Sequence, residues 1–316
     1  MEPPGAAPDL DRAFDDLYAR ILAPALAPHE AERRGLLQQA VVVTLVVEVL
    51  GIGAGLYAGQ TWHRPGFVGI GALMPAWFAW GVMWSRLKAF RTRCKAEALS
   101  RLAAAIGLDY LCDGFEGEGV PRLQGLGLLP RFQRASYEDR FAGRRQGCGF
   151  EVFEAHLEDK QSDGKSSHWV DVFRGQLVRI AFPKAFEGTT VVNRAGRHWS
   201  SPGFEPVGFA SSQFEHAFQV FGTDQVEARY LVHPAFMERL LALETALGGE
   251  NLRCAFDAGF LTIVVDGGDL FEIVKVLKPL PDRAAARRGV EGISHVLKLI
   301  DAVMAPPPRP YEESTA

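Results

Sequence analysis

The stretch Ala40-Val-Val-Val-Thr-Leu-Val-Val-Glu-Val-Leu-Gly-Ile-Gly-Ala-Gly-Leu-Tyr57 decides how this 316-residue chain is read. A second apolar run extends from Phe67 to Trp84, after a short turn holding Gly59, His63, Arg64 and Pro65. Each run approaches the roughly 20 residues that cross about 30 Å of hydrocarbon at about 1.5 Å per residue. The pattern predicts a transmembrane hairpin over 36–88, with spans at about 38–57 and 67–85.

Charge orients the hairpin. Arg33 and Arg34 precede the first span, and Arg86, Lys88, Arg91, Arg93 and Lys95 follow the second. The positive-inside rule then places both termini in the cytoplasm and the turn outside. Tyr57 and Trp62 suit the outer interface, Trp80 and Trp84 the inner one. The lipid bilayer is therefore the first expected partner. The basic cluster can also hold anionic lipid, at about 1 kcal/mol per Lys or Arg near the surface.

Within the spans, Gly51, Gly53 and Gly55 on one side and Gly69, Gly71, Ala72 and Ala76 on the other permit close helix approach. Packing within the hairpin suffices to explain them, and homo-oligomerisation is the sharper alternative. Pro75 predicts a kink in the second span. Glu48 lies mid-span, where an ionisable group costs roughly 2.5–3.5 kcal/mol on insertion scales. Two spans with Thr44 as the only polar neighbour make a poor conduction path, so transport is not expected.

Composition excludes some classes. The net charge of -4 argues against a general nucleic-acid binder, which needs a basic surface. Cys94, Cys112, Cys148 and Cys254 show no zinc or disulfide spacing and read as thiols of a reducing compartment. The first residues lack the basic start and apolar core of a secretory signal.

The expected organisation is an N-terminal cytosolic helical segment (1–35), the hairpin (36–88), a linker helix and Gly-rich loop (89–127), a cytosolic α+β domain (128–305) and a disordered tail (306–316). The fold class is α+β: a two-helix transmembrane hairpin, then mainly antiparallel sheet with packed helices. In the first segment, Leu10, Phe14, Leu17, Tyr18, Ile21 and Leu22 share one helical face that suits packing on the protein itself, and Pro24 and Pro28 break the pattern. Strands are expected over 132–141, 147–157, 168–182 and 189–193, with a bulge near Arg174-Gly175 and one wet sheet face. Further hairpins join 218–221 to 225–232 and 252–256 to 260–265. Residues 271–276 suit a last strand or a helix start. Ser211 or Ser212 can cap a short helix, Pro234 starts a firm one ending at Gly248-Gly249, and 283–304 forms an amphipathic closing helix.

Four segments stand out: Tyr18-Ala-Arg-Ile-Leu-Ala-Pro-Ala-Leu26 before two apolar spans, Phe173-Arg-Gly-Gln-Leu177, Pro183-Lys-Ala-Phe-Glu-Gly-Thr-Thr190 and, most specifically, the segment from Phe214-Glu-His-Ala-Phe-Gln-Val-Phe-Gly222 to Leu240. Together they resemble a bacterial family, the domain of unknown function 3137. The likeness covers most of the chain. It implies a membrane-hairpin protein of the bacterial plasma (inner) membrane, multi-pass, with a cytoplasmic α+β domain. It assigns no activity and carries over no catalytic residue.

The densest polar constellation is Asp224, Glu227, Arg229, His233 and Glu238. A hydrolase reading takes Glu227 or His233 as general base beside Asp224. The structural alternative makes Asp224 a turn residue, pairs Glu227 with Arg229 on a wet strand face, and leaves His233 at a helix start; it prevails, since charges at such positions are mostly solvated. His156, His168, His198 and His216 lack metal-ligand spacing, Cys254 suits core packing, and no cofactor is expected. The expected function is a membrane-anchored cytosolic interaction or regulatory module with a protein partner and no nucleic acid. The alternatives are a membrane-tethered, hydrolase-like enzyme and a small-ligand sensor with an apolar pocket in the sheet.

Overall fold

Alternation of apolar and polar residues between Arg134 and Ala181 builds the three longest strands of the protein. The computed structural model describes residues 10–63, 66–162, 164, 166–196, 201–246 and 252–304. The strands are β1 Asp109–Leu111, β2 Arg134–Arg145, β3 Cys148–Ser162, β4 Ser167–Ala181, β5 Thr190–Arg194, β6 Glu205–Val207, β7 Phe218–Gly222, β8 Arg253–Asp257 and β9 Phe260–Asp266. Among the described residues these form one antiparallel sheet, in the order β1-β2-β3-β4-β9-β8-β5-β7-β6. Gln146-Gly147 (φ 48° and 81°) joins β2 to β3, and Ala258-Gly259 (φ 50° and 81°) joins β8 to β9. Two left-handed residues in a row match the twist of the strands they connect.

The helices are α1 Leu10–Leu17, α2 Ala23–Leu26, α3 Glu30–Thr61, α4 Gly66–Ala105, α5 Val120–Gly125, α6 Ser212–Ala217, α7 Gln225–Leu231, α8 Pro234–Ala246 and α9 Arg283–Met304. The chain divides into two units. One comprises Met1–Arg12, Ala103–Phe271 and Val290–Ala316; the other comprises Ala13–Leu102 and Glu272–Gly289.

In the sheet unit, the middle of β3 is buried on both faces. Phe153, Ala155 and Leu157 join a core with Leu123 from α5 and Leu126, which caps the end of that helix. Phe150 and Val152 on the other face meet Phe141, Phe271, Ile293 and Leu297. The expected wet face is thus covered here, because α9 lays its stripe of Val290, Ile293, Val296, Leu297, Ile300 and Val303 inward. Glu154 on that face is buried, and its carboxylate accepts from the Leu270 and Phe271 N–H groups. The segment 271–276 is neither strand nor helix, since side chains rather than a ladder hold its backbone.

Three other expectations change. Residues 225–231 form α7 and not a strand, because Asp224 caps that helix. The connection 113–127 contains α5. Pro24 and Pro28 do not end the first helix: a π turn at Tyr18–Leu22 leads into α2, and a 3₁₀ turn at Ala27–His29 leads into α3. Each proline sits in the first turn of a new segment, where its missing N–H has no helical partner. Arg64, Pro65, His198, Gly248-Gly249 and the tail 306–316 lie outside the described residues.

In the helical unit, the predicted face of α1 and its π turn is turned inward, with Phe14 and Leu22 buried. Arg283 and Arg287 from α9 stack on Phe14, and Arg283 also pairs with Asp15. Glu30 at the start of α3 is a junction. It accepts two hydrogen bonds from Arg33, one from Arg34 and one from the Leu280 N–H. Arg33 is buried and donates onward to the Val276 carbonyl. These donors, Arg33 foremost, hold the Glu30 carboxyl well below the usual carboxylate range.

Among the described residues, the helical stretch Leu10–Thr61 contains a segment long and apolar enough to cross a membrane. Within the apolar run of α3, Gly51 and Gly55 are the buried positions, whereas Val41, Leu45, Val49 and Leu50 are 60 to 68% exposed. On α4, which continues through Pro75, Ala79 and Met83 are buried while Trp77, Phe78 and Trp80 are open. Glu48 Oε2 is enclosed and has no hydrogen-bond partner among the described residues.

Candidate functional site

The constellation around Asp224 is assembled by a strand-to-helix turn. β7 ends at Gly222, and Asp224 accepts hydrogen bonds from the Val226 and Glu227 N–H groups at 2.8 and 2.9 Å, which starts α7. Glu227 then points back across the turn. Its carboxylate accepts from the Glu187 N–H at 2.9 Å and the Gly188 N–H at 2.7 Å. A Cβ on Gly188 would lie 2.6 Å from Glu227 Oε2, so a side chain there would push this carboxylate off its backbone donors. Arg229 bonds within α7 to Gln225. His233 Nδ1 accepts from the Phe236 N–H at 3.3 Å in the first turn of α8. Burial, then Lys184 and Arg239, lowers the pKa of this imidazole. Glu238 faces solvent from α8.

The predicted acid–base residues are therefore near in sequence but separate in task. Asp224 and His233 each serve a helix start, and Glu227 holds a loop. A general base needs a free lone pair aimed at a substrate proton. Here the lone pairs of Glu227 and of His233 Nδ1 point at backbone donors. Cys254 is fully buried in β8, and burial pushes its thiol far above the ordinary range; Cys94 is pushed up to about 11 for the same reason.

Three features escape the sequence reading. The first is the pair of Tyr110 and Asp139, whose hydroxyl and carboxylate are 2.6 Å apart. Asp139 is fully buried at a bulge in β2, with φ 57°, a conformation Asp adopts more readily than most residues. Burial and the carboxylate push the Tyr110 hydroxyl well above its ordinary pKa. The second is the trio His156, Glu158 and Asp171, whose ligand atoms lie within 4.8 Å of one another. A bulge creates it. β3 and β4 pair Leu157 with Phe173 and then Glu158 with Asp171, so Val172 is the extra residue and Asp171 turns onto the face of His156. His156 Nε2 lies 2.9 Å from Asp171 Oδ1, without the alignment of a hydrogen bond. The trio offers a cation one imidazole and two carboxylates, although Arg134 already approaches Glu158 at 3.6 Å. The sequence suggested a bulge near Arg174-Gly175; nothing local identifies Val172 as the inserted residue.

The third is a cavity of about 400 Å³ among β4, β9, α8 and α9. Val178, Val265, Leu243, Val296 and Leu299 make its walls apolar, Arg239 and Lys298 contribute cations, and His295 completes the polar lining. Its size falls within the range of small-molecule sites. The lining is drawn mainly from two strands and two helices far apart in sequence, so no contiguous motif marks it.

Residues 171–304 match the model of a family described as a protein of unknown function (DUF3137). The match bears out the resemblance carried by Phe173–Leu177 and by the segment ending at Leu240, and it lies wholly beyond the two apolar runs. No curated protein matches the chain. Among solved structures, the crystal structure of the mycobacterial trehalose monomycolate transport factor A, TtfA, is similar at 11% identity, covering 70% of this chain and 97% of that one, with a TM-score of 0.34.

Proposed function

We propose that the protein is a two-span membrane anchor carrying a non-catalytic interaction or regulatory module on the cytoplasmic side. The observation that carries this reading is the outer surface of α3. Val41, Leu45, Val49 and Leu50 stand open while Gly51 and Gly55 are enclosed. A water-facing helix shows the reverse, with small or polar residues outside and aliphatic ones inside. Trp77, Phe78 and Trp80 give α4 the same outer character, which supports spans at 38–57 and 67–85. The basic residues flanking them set both ends in the cytoplasm. The interaction role follows from the sheet unit, where the acid–base candidates hold backbone N–H groups.

Labelling tests the topology. In whole cells, a membrane-impermeant maleimide should label a Gln60→Cys variant and leave the wild-type cysteines unmodified. Labelling of the wild type, or release of the chain by alkaline carbonate, would overturn the anchor.

The cavity between the sheet and α8–α9 favours a second reading, a small-ligand sensor. It predicts a rise in the melting temperature of the full-length protein with an amphipathic anion such as a medium-chain fatty acid. The rise should vanish on Leu243→Trp, which fills the cavity.

A further inference from the structure

Midway along α4, where its apolar run stops, the helix and the extended segment after Glu272 enclose a groove of about 530 Å³. Its floor is apolar: Trp84, Leu87, Val274 and Val276. Its remaining lining is mostly cationic, from Lys88, Arg91, Lys275 and Lys278. The one acidic residue of the lining, Glu272, is neutralised by Arg91 at 3.3 Å and by the buried Lys95 at 3.8 Å. Lys278 approaches Asp282 at 3.9 Å. Lys88 and Lys275 are exposed and make no ion pair among the described residues. Leu277, between Lys275 and Lys278, is 82% exposed.

We infer that this groove binds an anionic phospholipid, with its phosphate between Lys88 and Lys275 and an acyl chain along Trp84 and Leu87. The inference rests on the reading that α4 leaves the membrane near Trp84. Charge complementarity selects an anion: four cations face one carboxylate that is already paired. The apolar floor selects an anion with a hydrocarbon tail. It continues along α4, because Trp84 stacks on Trp80 one turn back, with ring centroids 6.2 Å apart, and Trp77 and Phe78 extend the open surface. A soluble anion would leave that surface uncovered. Leu277, exposed between two lysines, has the pattern of an interfacial contact, with an apolar tip and cationic flanks. Lys can serve here because its ammonium binds a phosphate as a compact point charge with three rotatable donors.

The test uses the full-length protein, extracted from membranes in mild detergent and examined by native mass spectrometry with added lipid. Wild type should retain phosphatidylglycerol in preference to phosphatidylcholine. A Lys88→Glu/Lys275→Glu variant should lose that retention by about 30-fold or more, at about 1 kcal/mol per cation removed. Arg86→Glu, a neighbouring exposed cation that does not line the groove, should keep it. Equal retention of the two lipids overturns the inference, and so does an equal loss with Arg86→Glu. Displacement by glycerol phosphate, which has no acyl chain, would make this a phosphate site and also overturn it. If the double variant does not fold, Lys88→Gln/Lys275→Gln gives the same reading without charge reversal. Alkaline extraction of the wild type reports separately on the anchor.

Discussion

The sheet unit and the helical unit expose opposite kinds of residue. In the sheet unit, Phe153, Phe214, Phe218 and Phe256 are buried, and even the charged Glu154 is enclosed with its backbone donors. In the helical unit, Leu45, Leu50, Trp77 and Phe78 are 61 to 75% exposed, while the glycines at 51 and 55 are buried. The first arrangement is what water selects, since burial of apolar area drives folding there. In the second, small residues lie inward and large apolar side chains outward, an arrangement that hydrocarbon permits and water does not favour. The two units thus expose different kinds of surface, and each should fail in its own way.

The largest expected failure is in the sheet. A Cβ on Gly175 would lie 2.1 Å from the Val265 carbonyl, where β4 pairs with β9. Gly175→Val should cost about 3 kcal/mol or more, read as a collapse of the thermal transition of the detergent-solubilised protein, with its membrane insertion unchanged.

Glu30 is the matching point in the helical unit. Glu30→Ala leaves the buried Arg33 without its carboxylate and frees the Leu280 N–H, and should cost about 3 kcal/mol. Because the folded state holds this carboxyl below its unfolded value of about 4.3, the stabilisation is present above that pH and is lost as pH falls through the acid range. Acid titration of the melting temperature should show that loss in wild type and a shallower slope in Glu30→Gln.

The solvent contrast is sharpened by two substitutions three residues apart on α3. Leu45→Asp should lower membrane integration by about 2.5 kcal/mol on insertion scales, seen as chain released by alkaline carbonate. Glu48→Leu should leave integration equal or improved. If Leu45→Asp integrates normally, the exposed face of α3 is not a lipid face. The smallest effect belongs to Asp224→Ala, which removes the cap of α7 and should cost about 1 kcal/mol in the same melting assay.

Much of the fold was legible in local pattern. Ser211 caps α6, Pro234 starts α8, and the spaced apolar residues from Val290 to Val303 form the inner stripe of α9, because each signal acts within a few residues. Residues 225–231 were misread because Val226, Tyr230 and Val232 look strand-forming, whereas the cap at Asp224 and the reach of Glu227 to Gly188 decide for helix. The polar constellation was correctly found as a cluster of residue types, but its use was not visible. Which lone pair meets which backbone N–H depends on the loop 186–188, some 40 residues away in sequence.

The basic cluster after Trp84 shows the same division. The sequence by itself determined that a chain with two apolar runs and flanking cations carries a long apolar helix near its N-terminus and an α+β region after it, since those signals are counts and periods along one strand of chain. Only the tertiary structure decided that Arg93 pairs with Glu32, Arg91 with Glu272 and Lys95 is buried beside it, while Lys88 and Lys275 stand open over an apolar groove. Pairing and exposure depend on segments some 180 residues apart meeting in space, and no local pattern records that meeting.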